Sequence, residues 1–88
     1  MIRRRLIVRG RVQGVGFRYA CEQAAARAGV RGWVRNRSDG TVEAVLEGET
    51  SAVESMTGWV RQGPPAAAVT GVDVTDEDPE GLSGFTVR

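Results

Sequence analysis

Three glycines, Gly10, Gly14 and Gly16, stand within seven positions, between an aliphatic run and an alanine-rich segment. The run, residues 6–8, favours a strand and the later segment favours a helix, so the stretch predicts a strand that passes through a glycine loop into a helix. Glycine lets successive backbone N–H groups turn toward one point, which the N–H groups and positive dipole of the helix N-terminus also face. The stretch therefore predicts an anion site, with the Arg18 guanidinium as a partner for phosphate oxygens.

This interpretation has alternatives. Glycine-containing turns between a strand and a helix are common in proteins that bind no ligand there. Taken alone, Arg18 could also be an ordinary solvent-exposed residue of the helix. Two familiar phosphate loops are excluded, because the chain has no lysine for a Walker A loop and because Tyr19 stands where a dinucleotide fingerprint starting at Gly14 needs its third glycine. The loop must belong to another kind of phosphate site, or to none.

The composition limits the chemistry that this chain can use. It has no histidine and a single cysteine, Cys21, which excludes Ser-His and Cys-His nucleophile pairs, histidine-bound metals and thiolate clusters. All twelve basic residues are arginine and eleven acids nearly cancel them, so a net charge of +1 gives little reason to expect a polyanionic partner. We expect no metal and no cofactor, and we expect Cys21 to be a small core residue.

The length of 88 residues predicts a single domain, residues 1–88, around one thin core. A hydrophobic content of 41% with 26% charged residues is typical of a globular protein, and no apolar run approaches the roughly 20 residues of a membrane span. The arginines at positions 3–5 do not begin an export signal, because Arg9 ends the apolar run that follows them. We therefore predict a cytoplasmic monomer with no membrane and no nucleic-acid partner.

Hydrophobic periodicity predicts the first two elements. Leu6 and Val8 point to a core from a strand over residues 4–11. Gly29 ends the following helix as a left-handed residue just after Arg27. The apolar positions of this helix are Phe17, Ala20 or Cys21, Ala24 and Ala28.

Two strands follow, residues 33–36 and 41–47, and the turn chemistry of Asp39 and Gly40 between them predicts a hairpin. Ser51 and Glu54 fit a capping box that opens a second helix. The apolar stripe of this helix comprises Ala52, Val53, Met56, Trp59 and Val60, and the segment after it, residues 63–65, ends it.

A strand over residues 69–75 and a short strand over residues 85–87 complete the chain. The order is βαββαβ plus a short C-terminal strand, which right-handed crossovers fold into one mixed, largely antiparallel sheet with two helices on one face. This is the α+β, ferredoxin-like split βαβ sandwich. Both tryptophans, Trp33 and Trp59, are expected in the core. Three arginines are expected to be surface charges of the sheet: Arg11, Arg35 and Arg37.

The glycine stretch, GRVQGVGFR at residues 10–18, closely resembles the signature of the acylphosphatase family. A second block, GWVRNRSDGTVE at residues 32–43, resembles the other motif of that family at the expected separation. Later segments, residues 63–66 and 84–88, are also similar, so the resemblance spans essentially the whole chain.

The resemblance implies the same fold and an enzyme that hydrolyses the carboxyl-phosphate anhydride bond of small acyl phosphates to a carboxylate and inorganic phosphate. It implies that Arg18 and Asn36 are catalytic, with Arg18 clamping the phosphate and Asn36 orienting the attacking water. The phosphate cradle would be formed by the backbone amides of Gln13, Gly14, Val15, Gly16, Phe17 and Arg18. The proton of the water would pass to the phosphate of the substrate.

The chemistry agrees with a chain that lacks histidine. The leaving carboxylate has a conjugate acid with a pKa of only about 4, so it departs without protonation by the enzyme. Other functions stay open at this point. An asparagine before a turn, such as Asn36, often only bonds its own backbone. A ferredoxin-like domain can also bind RNA, although its first strand here offers no aromatic residue, and a phosphate cradle can serve a regulatory anion sensor.

Overall fold

The strands and helices follow one another along the chain in the predicted order. A computed structural model describes residues 1–88. The elements are β1 (Ile2–Arg11), α1 (Phe17–Ala28), β2 (Arg31–Asn36), β3 (Val42–Gly48), α2 (Thr50–Gln62), β4 (Ala68–Glu77) and β5 (Phe85–Val87). The predicted elements are confirmed, with bounds that differ by one or two residues. Neither helix has the length and apolar composition that crossing a membrane would require.

The five strands form one mixed sheet in the order β4-β1-β3-β2-β5. β3 is antiparallel to both β1 and β2, and β5 is parallel to β2. As a result β1, β2 and β5 run in the same direction, and their C-terminal ends lie at the same edge of the sheet. That edge brings together the glycine loop after β1, the last residue of β2 and the residue after β5, and it is where the site is found.

Both crossovers skip one strand, which makes the sheet a split βαβ arrangement. β1 connects through α1 to β2 with β3 between them, and β3 connects through α2 to β4 with β1 between them. Helices and strands share one core, which confirms the ferredoxin-like α+β fold. The core comprises Leu6, Val8, Val12, Phe17, Cys21, Ala24, Ala25, Val30, Val34, Val42, Ala44, Leu46, Val53, Met56 and Val60.

The ends of the helices test two sequence patterns. Gly29 follows α1 with a φ of 72°, and its N–H bonds the carbonyls of the last turn, as predicted. The capping-box prediction is wrong, because α2 begins at Thr50 with Glu49 before it and no side chain caps it. Ser51 therefore lies inside the first turn, where its hydroxyl is not at the capping position.

The sheet face opposite the helices carries charge. Trp33 is buried, as predicted, but on this face and not in the cluster between the sheet and the helices, because the next residue along β2 is the one that faces the helices. Three guanidinium groups lie over its ring, those of Arg88 at 4.4 Å, Arg5 at 5.7 Å and Arg35 at 5.8 Å from the centroid. The ring is left only 9% exposed. Arg35 is a charge on the sheet surface, as predicted.

Glu47 is the most deeply placed charge of this face and is fully buried. Its carboxylate accepts a hydrogen bond from Nη1 of Arg3 at 2.7 Å and from the backbone amides of Glu80, Gly81 and Leu82 at 2.9–3.1 Å. Burial alone would raise its pKa, but these donors outweigh burial and lower the pKa to about 2. Glu47 thus fastens the segment between β4 and β5 to the sheet.

Candidate active site

The glycine loop leaves a set of backbone donors without partners. Gly14 and Gly16 have φ values of 73° and 77°, in the left-handed region that glycine enters without strain. Gly16 precedes α1, and no side chain caps the helix. The backbone amides of residues 13–19 donate to no acceptor in the chain, the first bonded amide being that of Ala20 to the carbonyl of Gly16 at 3.1 Å. The loop therefore presents consecutive N–H groups at a positive helix end.

Five of the residues that carry these donors line a cavity of about 120 Å³. Its lining residues are Val12, Gly14, Gly16, Phe17, Arg18, Tyr19 and Asn36. The structure thus brings the two residues predicted to be catalytic, Arg18 and Asn36, to the same cavity. Gln13 and Val15 lie in the same loop but do not line the cavity. No acidic side chain lines it, so the site is electropositive.

The end of the chain holds Arg18. Its Nη1 donates to the main-chain oxygen of Arg88 at 2.7 Å. This contact is possible because β5 ends at the same sheet edge as β1 and β2. One nitrogen of the guanidinium is therefore anchored, which limits the positions that the remaining donors can take.

Asn36 is the last residue of β2 and stands opposite Val42 in the ladder. Its side chain is exposed and makes no hydrogen bond within the chain. The turn that follows is stabilised by Asp39 instead, whose Oδ1 accepts from the backbone N and the Oγ1 of Thr41 at 3.0 and 2.6 Å. These two bonds lower the pKa of Asp39. Because Asp39 closes the turn, the amide of Asn36 stays available to another group.

Gln13 links the glycine loop to that turn. Its side-chain Nε2 donates to the carbonyl oxygens of Arg37 at 2.7 Å and Thr41 at 2.9 Å. The ladder between β1 and β3 ends at Val8 and Val42, so beyond this pair no other hydrogen bond joins the loop to the turn. Sequence reasoning gave Gln13 a role only through its backbone amide and missed this side-chain contact.

Sequence reasoning also missed two residues that line the cavity, Val12 and Tyr19. Val12 is buried and belongs to the core. Tyr19 is 68% exposed on the first turn of α1. The sequence did contain a signal for Tyr19, because it is an aromatic residue at a helix position outside the apolar stripe.

Cys21 takes no part in the site. It is fully buried in the core, and burial raises its pKa to about 12, so it carries no thiolate at neutral pH. No group of three His, Cys, Asp or Glu side chains is placed to hold a metal ion.

Unpaired amides, a guanidinium and a carboxamide around a small electropositive cavity are donors of the kind that bind phosphate, and they are placed here on a ferredoxin-like sandwich. A sequence profile of the acylphosphatase family matches residues 4–87. The chain therefore belongs to the acylphosphatase family and is a hydrolase.

Individual relatives agree with this assignment. An acylphosphatase of Thermococcus kodakarensis is 57% identical over 86 residues, which is 98% of this chain and 94% of the relative. An acylphosphatase of a Nostoc species is 54% identical over 88 residues, covering 100% of this chain and 87% of the relative. The crystal structure of an acylphosphatase from Bacillus subtilis superposes with a TM-score of 0.97 at 43% identity, covering 100% of this chain and 99% of that one.

Proposed function

We propose that this enzyme hydrolyses small acyl phosphates without a metal ion, by holding the phosphoryl group in the glycine loop and aligning a water molecule with Asn36. The family assignment makes the reaction that of an acylphosphatase, in which the carboxyl-phosphate anhydride is split into a carboxylate and inorganic phosphate. The observation that carries the proposal is that Arg18 and Asn36 line the same cavity together with residues whose backbone amides are unpaired.

The reaction asks for little acid-base chemistry. A carboxylate is a good leaving group because its conjugate acid has a pKa of about 4. What is left for the enzyme is to neutralise the phosphoryl charge and to place the water in line. Backbone amides and a guanidinium neutralise the phosphoryl charge. A carboxamide places the water, because it both accepts and donates hydrogen bonds.

In this mechanism the amides of residues 13–18 and the Arg18 guanidinium hold the equatorial oxygens of the phosphoryl group. The Asn36 amide orients the water on the side away from the leaving carboxylate. Asn36 is not a base at neutral pH, so the proton of the water passes to a phosphate oxygen of the substrate. The preorganised donors stabilise the charge of the transition state without having to reorganise.

The decisive experiment compares Arg18→Ala with Asn36→Ala. Arg18→Ala is expected to weaken inhibition by inorganic phosphate and to reduce kcat, at a cost above the ~3 kcal/mol typical of one lost oxyanion donor. Arg18→Lys should restore little, because a point charge does not replace the guanidinium fork. Asn36→Ala is expected to lower kcat by roughly two orders of magnitude or more while phosphate still inhibits at nearly the original concentration.

Circular dichroism verifies that each variant is folded. If Asn36→Ala loses phosphate binding but keeps its kcat, Asn36 is not the residue that orients the water. Activity that disappears on exhaustive chelation and returns with a divalent cation would contradict a metal-independent reaction. A regulatory anion sensor would bind phosphate but turn over no acyl phosphate.

The sheet face opposite the helices argues against the alternative that the domain binds RNA. Trp33 is an aromatic residue on the face used by such modules, with arginines around it. The ring is 9% exposed, and Arg5 and Arg35 are paired with Glu43. A base has no free aromatic face on which to stack, so we propose that the chain has no nucleic-acid partner.

We also propose that residues 1–88 act as a single domain, as a monomer in the cytoplasm. One core cluster joins both helices to the sheet, which supports a single domain. The buried Cys21 needs no oxidising compartment. Sedimentation of the purified protein at assay concentration measures the oligomeric state.

A further inference from the structure

The cavity is small, about 120 Å³, and it opens to solvent. With the phosphoryl group held against the loop, the acyl group of a substrate extends toward this opening. A bulky acyl group such as benzoyl therefore reaches the rim of the cavity.

The accessible apolar surface of that rim belongs to one residue. Three apolar residues line the cavity. Two of them, Val12 and Phe17, are no more than 2% exposed and belong to the core. Tyr19 is 68% exposed, more than any other large hydrophobic side chain of the chain. Tyr19 follows Arg18 in the chain, and both residues line the cavity.

We propose that Tyr19 contacts the acyl group of the substrate and makes the enzyme favour aromatic over small aliphatic acyl phosphates. The proposal rests on the acyl phosphate hydrolysis proposed above. A tyrosine ring offers a flat apolar face and costs little side-chain entropy, and it gains most from another aromatic ring. An acetyl group reaches little of this face, whereas a benzoyl group stacks on it.

The test measures kcat/KM for benzoyl phosphate and for acetyl phosphate in the wild type, Tyr19→Ala and Tyr19→Phe. In Tyr19→Ala the ratio of the two kcat/KM values is expected to fall about three- to tenfold, the range of one aromatic contact. Tyr19→Phe keeps the ring and should retain the wild-type ratio. Val74→Ala, which shortens another exposed hydrophobic side chain outside the cavity, is the matched control and should also retain the ratio.

Inhibition by inorganic phosphate separates this role from one in the cradle. Phosphate does not reach the rim, so its inhibition constant is expected to change less than twofold in Tyr19→Ala. An unchanged ratio in Tyr19→Ala, or an equal loss for both substrates with weaker phosphate binding, would overturn the proposal. A wild-type enzyme that turns over neither acyl phosphate would instead refute the hydrolytic function, and this proposal with it.

Discussion

Glu47→Gln is expected to destabilise the protein in a way that depends on pH. A carboxyl group whose pKa falls from 4.5 in the unfolded chain to about 2 in the folded protein contributes about 3 kcal/mol to folding at pH 7. Because the folded pKa is the lower one, this contribution is complete above about pH 5.5 and is lost as the pH falls toward 2. At pH 3 the same relation leaves about 1.4 kcal/mol.

Glutamine keeps the size of the side chain but loses the charge that Arg3 and the amides of residues 80–82 surround. Its NH₂ group also faces donors. We therefore expect the free energy of unfolding to fall by about 3 kcal/mol at pH 7 and by less than half as much at pH 3.

Urea denaturation of the wild type and the variant at both pH values measures this difference. Glu54→Gln is the matched control, since Glu54 is exposed on α2 and has no ion-pair partner, and it should change the stability little at either pH. An equal destabilisation by Glu47→Gln at pH 3 and pH 7 would show that packing, not the charge of Glu47, holds the segment, and would refute the reasoning.

Four further predictions concern the loop, the sheet, the second helix and the core. Gln13→Ala removes both hydrogen bonds between the loop and the turn that follows Asn36, so kcat should fall at least tenfold with a smaller change in phosphate inhibition, as measured by steady-state kinetics. Gly10→Ala should destabilise by more than about 2 kcal/mol in urea denaturation, because a Cβ there would meet the carbonyl oxygen of Ala68 at 2.2 Å. Gly58→Ala, in α2 with open space around it, should instead stabilise by about 0.5–1 kcal/mol. Cys21 should resist iodoacetamide at pH 7 until the protein is unfolded, and labelling of the native protein would contradict its burial.

Local patterns in the sequence were enough to predict most of the fold. Gly29 ends α1 because only glycine takes its left-handed conformation without strain, and the Asp39-Gly40 turn sets the hairpin. The capping box failed because the pattern of Ser51 and Glu54 is purely local, whereas α2 begins two residues earlier than a helix capped by Ser51 would, with Glu49 at the N-cap position. The face of the sheet on which Trp33 lies could not be predicted, because two consecutive apolar residues in a strand do not show which of them faces the helices.

The site could be predicted only where its parts are consecutive in the sequence. The glycine loop and Arg18 form one motif, and the resemblance that the two blocks bear to a family added Asn36. The contacts that support them join distant residues, such as the side chain of Gln13 with a turn 24–28 residues later and Arg18 with a residue 70 positions away. A single sequence has no periodic signal for such pairs.

The position of β1 between β4 and β3 has a consequence for the rate of folding. This first strand pairs with β3 and with β4, so that Arg3 meets Glu77, 74 residues further along the chain. Closing such long loops before they gain stabilising contacts is slow, and domains dominated by non-local pairs fold on the order of milliseconds to seconds. Arg18 is anchored only when β5 has joined the sheet, so catalytic activity should return on refolding no earlier than the last strand docks.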